Sequence, residues 1–105
     1  MCYTFSELDI RTIRERVSGG DYRYTAHAVK QMAERGTIRR EVEQVILTGD
    51  IIEEYPGHRH GPCCLVYGRT CDWRHIHVVT SLNPVWIITA YEPDPKEWLD
   101  HRTRR

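Results

Sequence analysis

Apolar residues recur at helical spacing through the first half of the chain and at strand spacing through the second. Leu8, Ile10, Ile13 and Val17 follow Ser6, whose hydroxyl suits the free N–H groups at a helix start, and the run stops at Gly19-Gly20. This predicts a first helix from Glu7. Thr25 is a cap of the same kind for a second helix, which Gly36 closes because glycine takes positive φ without a Cβ clash. A third helix is predicted from about Arg39 to Thr48, with Val42, Val45 and Ile46 as its apolar stripe and Gly49-Asp50 as its break. From Ile51 onward, β-branched and aromatic residues come in short runs between turn formers. The predicted strands are 51–55, stopped by Pro56-Gly57, then 63–69, 75–81 and 85–91, with Asn83-Pro84 linking the last two. Glu92-Pro93-Asp94-Pro95 precedes a predicted helical turn around Trp98. Short links favour antiparallel neighbours, so the expected fold class is α+β: a four-stranded antiparallel sheet with the helices on one face.

A chain of 105 residues, 40% of them hydrophobic, fits a single domain spanning 1–105. Fifteen basic and fifteen acidic residues cancel, so bulk charge neither favours nor excludes a polyanionic partner. Local clusters occur at Arg11, Arg14 and Arg16, at Arg39-Arg40, and in a basic tail over 103–105 that is expected to be solvated. No apolar run is long enough to span a membrane and the start lacks a secretory pattern, so no membrane partner and a cytoplasmic location are expected. Cys2, Cys63, Cys64 and Cys71 contain no CxxC pair and are expected to be thiols, with Cys63 and Cys64 on opposite faces of a strand. Trp73, Trp86 and Trp98 could stack on bases as in single-strand binders; against that, Trp86 and Trp98 are expected to pack on the domain and Trp73 to lie exposed in a turn.

Two sets of chemically capable side chains stand out. At about 100° per residue, His27, Lys30, Gln31, Glu34 and Arg35 share one side of the second helix, away from Val29, Met32 and Ala33. Strand alternation puts His75 and His77 on one side of the third strand and Ile87, Thr89 and Tyr91 on one side of the fourth. Convergence of the two sets would suit RNA cleavage, in which one group takes the 2′-hydroxyl proton, another protonates the leaving 5′-oxygen, and a cation stabilises the phosphoryl charge. Histidine titrates near neutral pH and arginine forks onto phosphate oxygens. The same residues also fit a surface contact between His27 and Glu34, a satisfied sheet histidine at His77 and an edge aromatic at Tyr91. Zinc is a competing expectation, because His58, His60, Cys63, Cys64, Cys71, His75 and His77 crowd one span, although no spacing there matches a zinc ribbon or finger.

Five blocks, in order, resemble one family of small prokaryotic proteins, domain of unknown function 4258. They are Thr25-x-His27-Ala28-x-x-x-Met32-x-Glu34-Arg35-Gly36; Gly49-Asp50-Ile51-Ile52-Glu53-Glu54-Tyr55-Pro56; Gly61-Pro62-Cys63-Cys64-Leu65-Val66-x-Gly68; His75-Ile76-His77-Val78-Val79; and Ile87-Ile88-Thr89-Ala90-Tyr91-Glu92-Pro93-Asp94-Pro95-x-x-Trp98. The resemblance covers 24 to about 102 and leaves the first helix (1–20) outside. It implies a RelE-like fold of the barnase, colicin and RelE nuclease type, and a neighbouring zinc-ribbon antitoxin-like protein of the YgiT or MqsA type. By that analogy the chain looks like the toxin half of a toxin–antitoxin pair, a metal-independent endoribonuclease that needs no cofactor. Carried over by position, the pattern points to His27 and His77 as acid and base, Arg35 as the phosphate clamp, and Thr89 with Tyr91 orienting the phosphate. Lys30, Gln31 and Glu34 would contact substrate. Gln31 stands where the pattern commonly has a basic residue, and Cys71-Asp72-Trp73-Arg74 is less glycine-rich than the usual turn. The alternatives are a non-catalytic module that binds the zinc-ribbon partner, and a zinc-dependent hydrolase.

Overall fold

Reciprocal capping starts the first helix: Asp9 N–H donates to Ser6 Oγ at 3.2 Å and Ser6 N–H to Asp9 Oδ2 at 3.0 Å. The computed structural model describes residues 4–105, so Cys2 lies outside the described residues. The elements are α1 (Glu7–Ser18), β1 (Arg23–Tyr24), α2 (Ala26–Arg35), α3 (Arg39–Thr48), β2 (Asp50–Tyr55), β3 (Cys63–Arg69), β4 (His75–Ser81) and β5 (Trp86–Tyr91). Thr25 caps α2 by accepting from Ala28 N–H, and Gly36 ends it at φ 68°. At the start of α3, Ile38 offers no capping oxygen, and the Glu41 carboxylate accepts its N–H at 3.0 Å. None of these helices is long and apolar enough to cross a membrane.

The sheet has five strands in the order β1-β5-β4-β3-β2, one more than expected. The added strand is β1, which runs parallel to β5 through Arg23↔Trp86 and Tyr24↔Ile87. Two residues cannot show alternation, so only the pairing itself reveals a strand there. The other four strands are antiparallel neighbours, as expected.

The two faces of the sheet are covered differently. On the front, Ile13 and Val17 of α1, Ala28 of α2, and Val42, Val45 and Ile46 of α3 share a core with Cys64, Val66, Ile76, Val78, Ile87 and Ala90. On the rear, Cys63, Leu65, Val79 and Ile88 pack under Trp98 with no helix residue among them. Cys63 and Cys64 therefore do face opposite ways, and with Cys71 they are free thiols. A register shift between Val79 and Thr80 inserts an extra residue in β5, because Val79 pairs with Thr89 while Thr80 pairs with Ile87. The expected grouping of Ile87 with Thr89 and Tyr91 is corrected here: the front-facing residues of β5 are Ile87 and Ala90, three apart, and Ile88 belongs to the rear.

The C-terminal segment forms no helical turn around Trp98. It folds back instead, with Trp98 paired to Arg104 and Leu99 N–H donating to the Thr103 carbonyl at 2.7 Å. Arg102 reaches Asp50 at 3.3 Å and Arg104 reaches Glu53 at 3.0 Å. The basic end of the chain is thus tied to β2 across the rear face, which corrects the expectation of a merely solvated tail.

Gly49 lies where α3 turns into β2, with an extended backbone that any residue adopts. The constraint is space, since a Cβ there would collide with the backbone carbonyl oxygens of Tyr67 and Val45. Gly49→Ala should therefore force α3 away from β3 at a cost on the order of 1–3 kcal/mol. Circular-dichroism melting should show a fall of several degrees; an unchanged melting temperature would mean the junction yields freely.

Candidate functional site

Beyond Ile87 the outer edge of β5 has no strand beside it among the described residues, because β1 pairs only with Trp86 and Ile87. Helix α2 runs along that edge and is tied to it in three places. Thr25 Oγ1 donates to the Ile88 carbonyl at 2.9 Å, and Ala90 N–H donates to Gln31 Oε1 at 2.9 Å. At the far end, Arg74 Nη2 donates to the Arg35 carbonyl at 3.3 Å, to Thr37 Oγ1 at 3.0 Å and to Glu92 Oε1 at 2.8 Å. Arg74 also pairs with Glu41 of α3 at 3.2 Å.

The Gln31 bond sets the rotation of α2 about its axis. His27 is four residues before Gln31 and Glu34 three after, so both share the flank that Gln31 turns toward the end of β5. Both are exposed, while Thr89 and Tyr91 flank Ala90 on β5 and are half-buried. The structure therefore sets the His27 flank beside the backbone of β5 at Ala90, while the Tyr91 side chain turns to the rear face with His77. Arg35 is exposed in the last turn of α2, near Glu92 through Arg74. Lys30 is exposed on the side of α2 away from the buried Ala28, and the Gln31 carbonyl is occupied in holding the strand edge.

His77 is not on that surface. It is fully buried on the rear face, walled by Trp98 edge-on at 4.4 Å, Tyr91 at 5.3 Å and Tyr67 at 5.8 Å between ring centroids. Its Nε2 lies 2.5 Å from the His101 carbonyl, which can only accept, so the proton is on Nε2. The bare Nδ1 then accepts from the Tyr91 hydroxyl at 3.3 Å. An imidazole with both nitrogens engaged and no exposed surface does not share a hollow with His27. Burial holds its pKa below the usual range; the hydrogen bond to the His101 carbonyl and the Glu53 charge oppose this, and the His101 and Arg104 charges add to it. Burial likewise pushes the Tyr91 phenol up.

Two further residues join this face that periodicity did not single out. His101 stacks on His75 at 3.6 Å, and Tyr67 Oη lies 2.8 Å from His75 Nδ1. Tyr67 was findable, since antiparallel pairing of β3 and β4 sets it opposite His77. His101 was not, because it arrives by a fold-back with no local signature. Burial, then His101 and Arg69, lower the pKa of His75. Glu53 is raised by burial, but hydrogen bonds from Arg104 and Tyr55 outweigh this and hold it low. Among the described residues, no three His, Cys, Asp or Glu side chains are grouped to hold a metal ion. Cys63 and Cys64, part of the span that raised a zinc expectation, enter separate cores.

The depressed pKa of His77 fixes the sign of a pH effect. Below the unfolded-state value of about 6.5 the unfolded chain binds the proton and the native pocket resists it, so stability falls with falling pH. His75 and His58 shift in the same direction, so the informative quantity is the difference from a His77→Gln variant. Urea midpoints from about pH 7 to about pH 5 should drop more steeply for the parent than for the variant; equal slopes would exonerate His77.

No curated protein and no solved structure matches the chain. The profile described as "Domain of unknown function (DUF4258)" matches residues 24–92, from β1 to just past β5, leaving α1 and the fold-back segment outside. With more than half of its length matched, and with α2 and β5 both inside the matched span, the chain belongs to the DUF4258 family.

Proposed function

We propose that this protein is the toxin half of a toxin–antitoxin pair, a RelE-like endoribonuclease that cleaves RNA by side-chain acid–base chemistry, with a zinc-ribbon antitoxin-like protein as its cytoplasmic partner. The observation that supports the site is the Gln31–Ala90 hydrogen bond, which holds the His27 flank of α2 against the end of β5, whose Thr89 and Tyr91 flank Ala90 in sequence. In this reading exposed His27 takes the 2′-hydroxyl proton as the general base. Tyr91 is kept a neutral phenol by burial, and on substrate binding its hydroxyl turns from His77 Nδ1 to supply its hydrogen to the leaving 5′-oxygen. His77 is a positioning residue: its Nδ1 holds the Tyr91 hydroxyl before RNA binds, without itself touching RNA. Arg35 draws the phosphate to the end of α2, and Thr89 borders it.

Incubation of the purified protein with a fluorescent oligoribonucleotide tests this. His27→Ala and Tyr91→Phe should each cut the cleavage rate by roughly a hundredfold or more; His27→Ala should leave the melting curve unchanged, whereas Tyr91→Phe, which leaves His77 Nδ1 unpaired, should lower it by about a few degrees. His77→Gln should lower kcat more than it raises KM, since it misdirects Tyr91 without removing a substrate contact. Wild-type rates in both His27→Ala and Tyr91→Phe would remove the site. A parent that binds the zinc-ribbon protein tightly but neither cleaves RNA nor arrests growth would favour the non-catalytic module.

A further inference from the structure

The hairpin between β3 and β4 spends conformational energy on an exposed aromatic. Thr70 N–H donates to the Arg74 carbonyl at 2.9 Å and Trp73 N–H to the Thr70 carbonyl at 3.0 Å, closing a tight loop in which Trp73 has φ 65°. That left-handed conformation favours glycine, and a bulky residue there is strained. Tryptophan normally offsets such a cost by burying its ring. Here the residue is 70% exposed, with the Arg69 guanidinium 4.8 Å over one face of its ring.

Beside the hairpin lies an open recess of about 420 Å³, bordered by Tyr67, Arg69, Trp73, Arg102 and Asp50, within the size range of pockets that hold small organic groups. Arg102 sits 5.3 Å over the Tyr67 ring and pairs with Asp50 at 3.3 Å, in an exposed contact that a phosphate can displace. Among the described residues Arg69 has no carboxylate in salt-bridge range. The recess thus combines a free aromatic face with two guanidinium groups.

We propose that this recess binds single-stranded RNA, with a base stacked on Trp73 and the flanking phosphates on Arg69 and Arg102. Every base has a π-face, and guanidinium groups pair with phosphate oxygens in a fork, so neither contact needs a particular sequence. A duplex hides its base faces, which commits the site to an unpaired strand. The register puts the recess and Tyr91 on the same face of the sheet: Tyr91 pairs with His77, His77 with Tyr67, and Arg69 lies two residues beyond Tyr67 on the same side of β3, with the fold-back over His77 between them. Two strand spacings amount to about 10 Å, within reach of one oligonucleotide that also meets Tyr91. The identity of the ligand as RNA rests on the reading proposed above.

Fluorescence anisotropy with a short labelled oligoribonucleotide, single-stranded and as a duplex, tests the site in the full chain. Trp73→Gly should raise the melting temperature by relieving the turn and yet weaken single-strand binding roughly tenfold. Arg69→Ala and Arg102→Ala should weaken binding several-fold and flatten its salt dependence. Unchanged affinity in Trp73→Gly and Arg69→Ala, or equal affinity for the duplex, would overturn the proposal. Cleavage is scored separately. Trp73-dependent binding without cleavage would leave the recess standing and remove the nuclease, and cleavage indifferent to Trp73 would do the reverse.

Discussion

The guanidinium of Arg74 is the contact on which the arrangement of the site depends. It sits at the head of β4 and bonds at once to Glu41 of α3, to the Arg35 carbonyl and Thr37 hydroxyl between α2 and α3, and to Glu92 just past β5. Elements distant in sequence are thereby held at one corner of the sheet. The group is only partly exposed, so losing one of its carboxylates would strand charge in a poorly solvated place, unlike an ordinary surface pair. With that corner fixed, Thr25 and Gln31 complete the alignment of α2 along β5. An edge strand with unpaired backbone groups invites aggregation, and the helix that covers this edge also carries the exposed His27.

The rear face is governed by a different balance. A sheet needs cover on both sides, and the three helices supply only the front. The end of the chain supplies the rest: Trp98 inserts among Leu65, Val79 and Ile88, and arginines on either side of the fold anchor to Asp50 and Glu53 of β2. Overall neutrality acquires a local meaning in this light, because two of the cations that would make a basic face are matched to carboxylates of the edge strand. Every buried side-chain nitrogen and oxygen among the described residues has a partner, His77 included.

Much of the fold was legible because it rests on local rules. Ser6, Thr25, Gly36 and the Gly49 break each act within a few residues, and they placed the helices correctly. Strands 63–69 and 75–81 were read at their observed limits. The failures share one cause, which is that the deciding contact lies far away in sequence. Strand β1 exists only through β5, the fold-back exists only through Trp98 and β2, and the bulge at Ile88 breaks a parity that no single strand reveals. Pairing His27 with His77 failed for the same reason: each sits on a correctly read element, but the two elements present them to different surroundings. One is solvent at the sheet edge, and the other is an aromatic pocket closed by a segment that the pattern read as a helical turn and a free tail.

Exposure and strain separate the two kinds of histidine and aromatic in this molecule. His77, Trp98 and Tyr91 contribute by being enclosed, so their chemistry is orientation and neutrality. Trp73 is the opposite case, held in a conformation that favours glycine and left mostly in water beside Arg69. Folding by itself gives no reason for that choice, because glycine would close the same turn at lower cost and arginine at position 69 would be solvated regardless. In the proposed recess that cost is offset by what Trp73 contacts outside the chain. The turn that looked merely glycine-poor in the sequence is therefore the place where structure and stability diverge most, and it borders the recess whose two arginines face solvent.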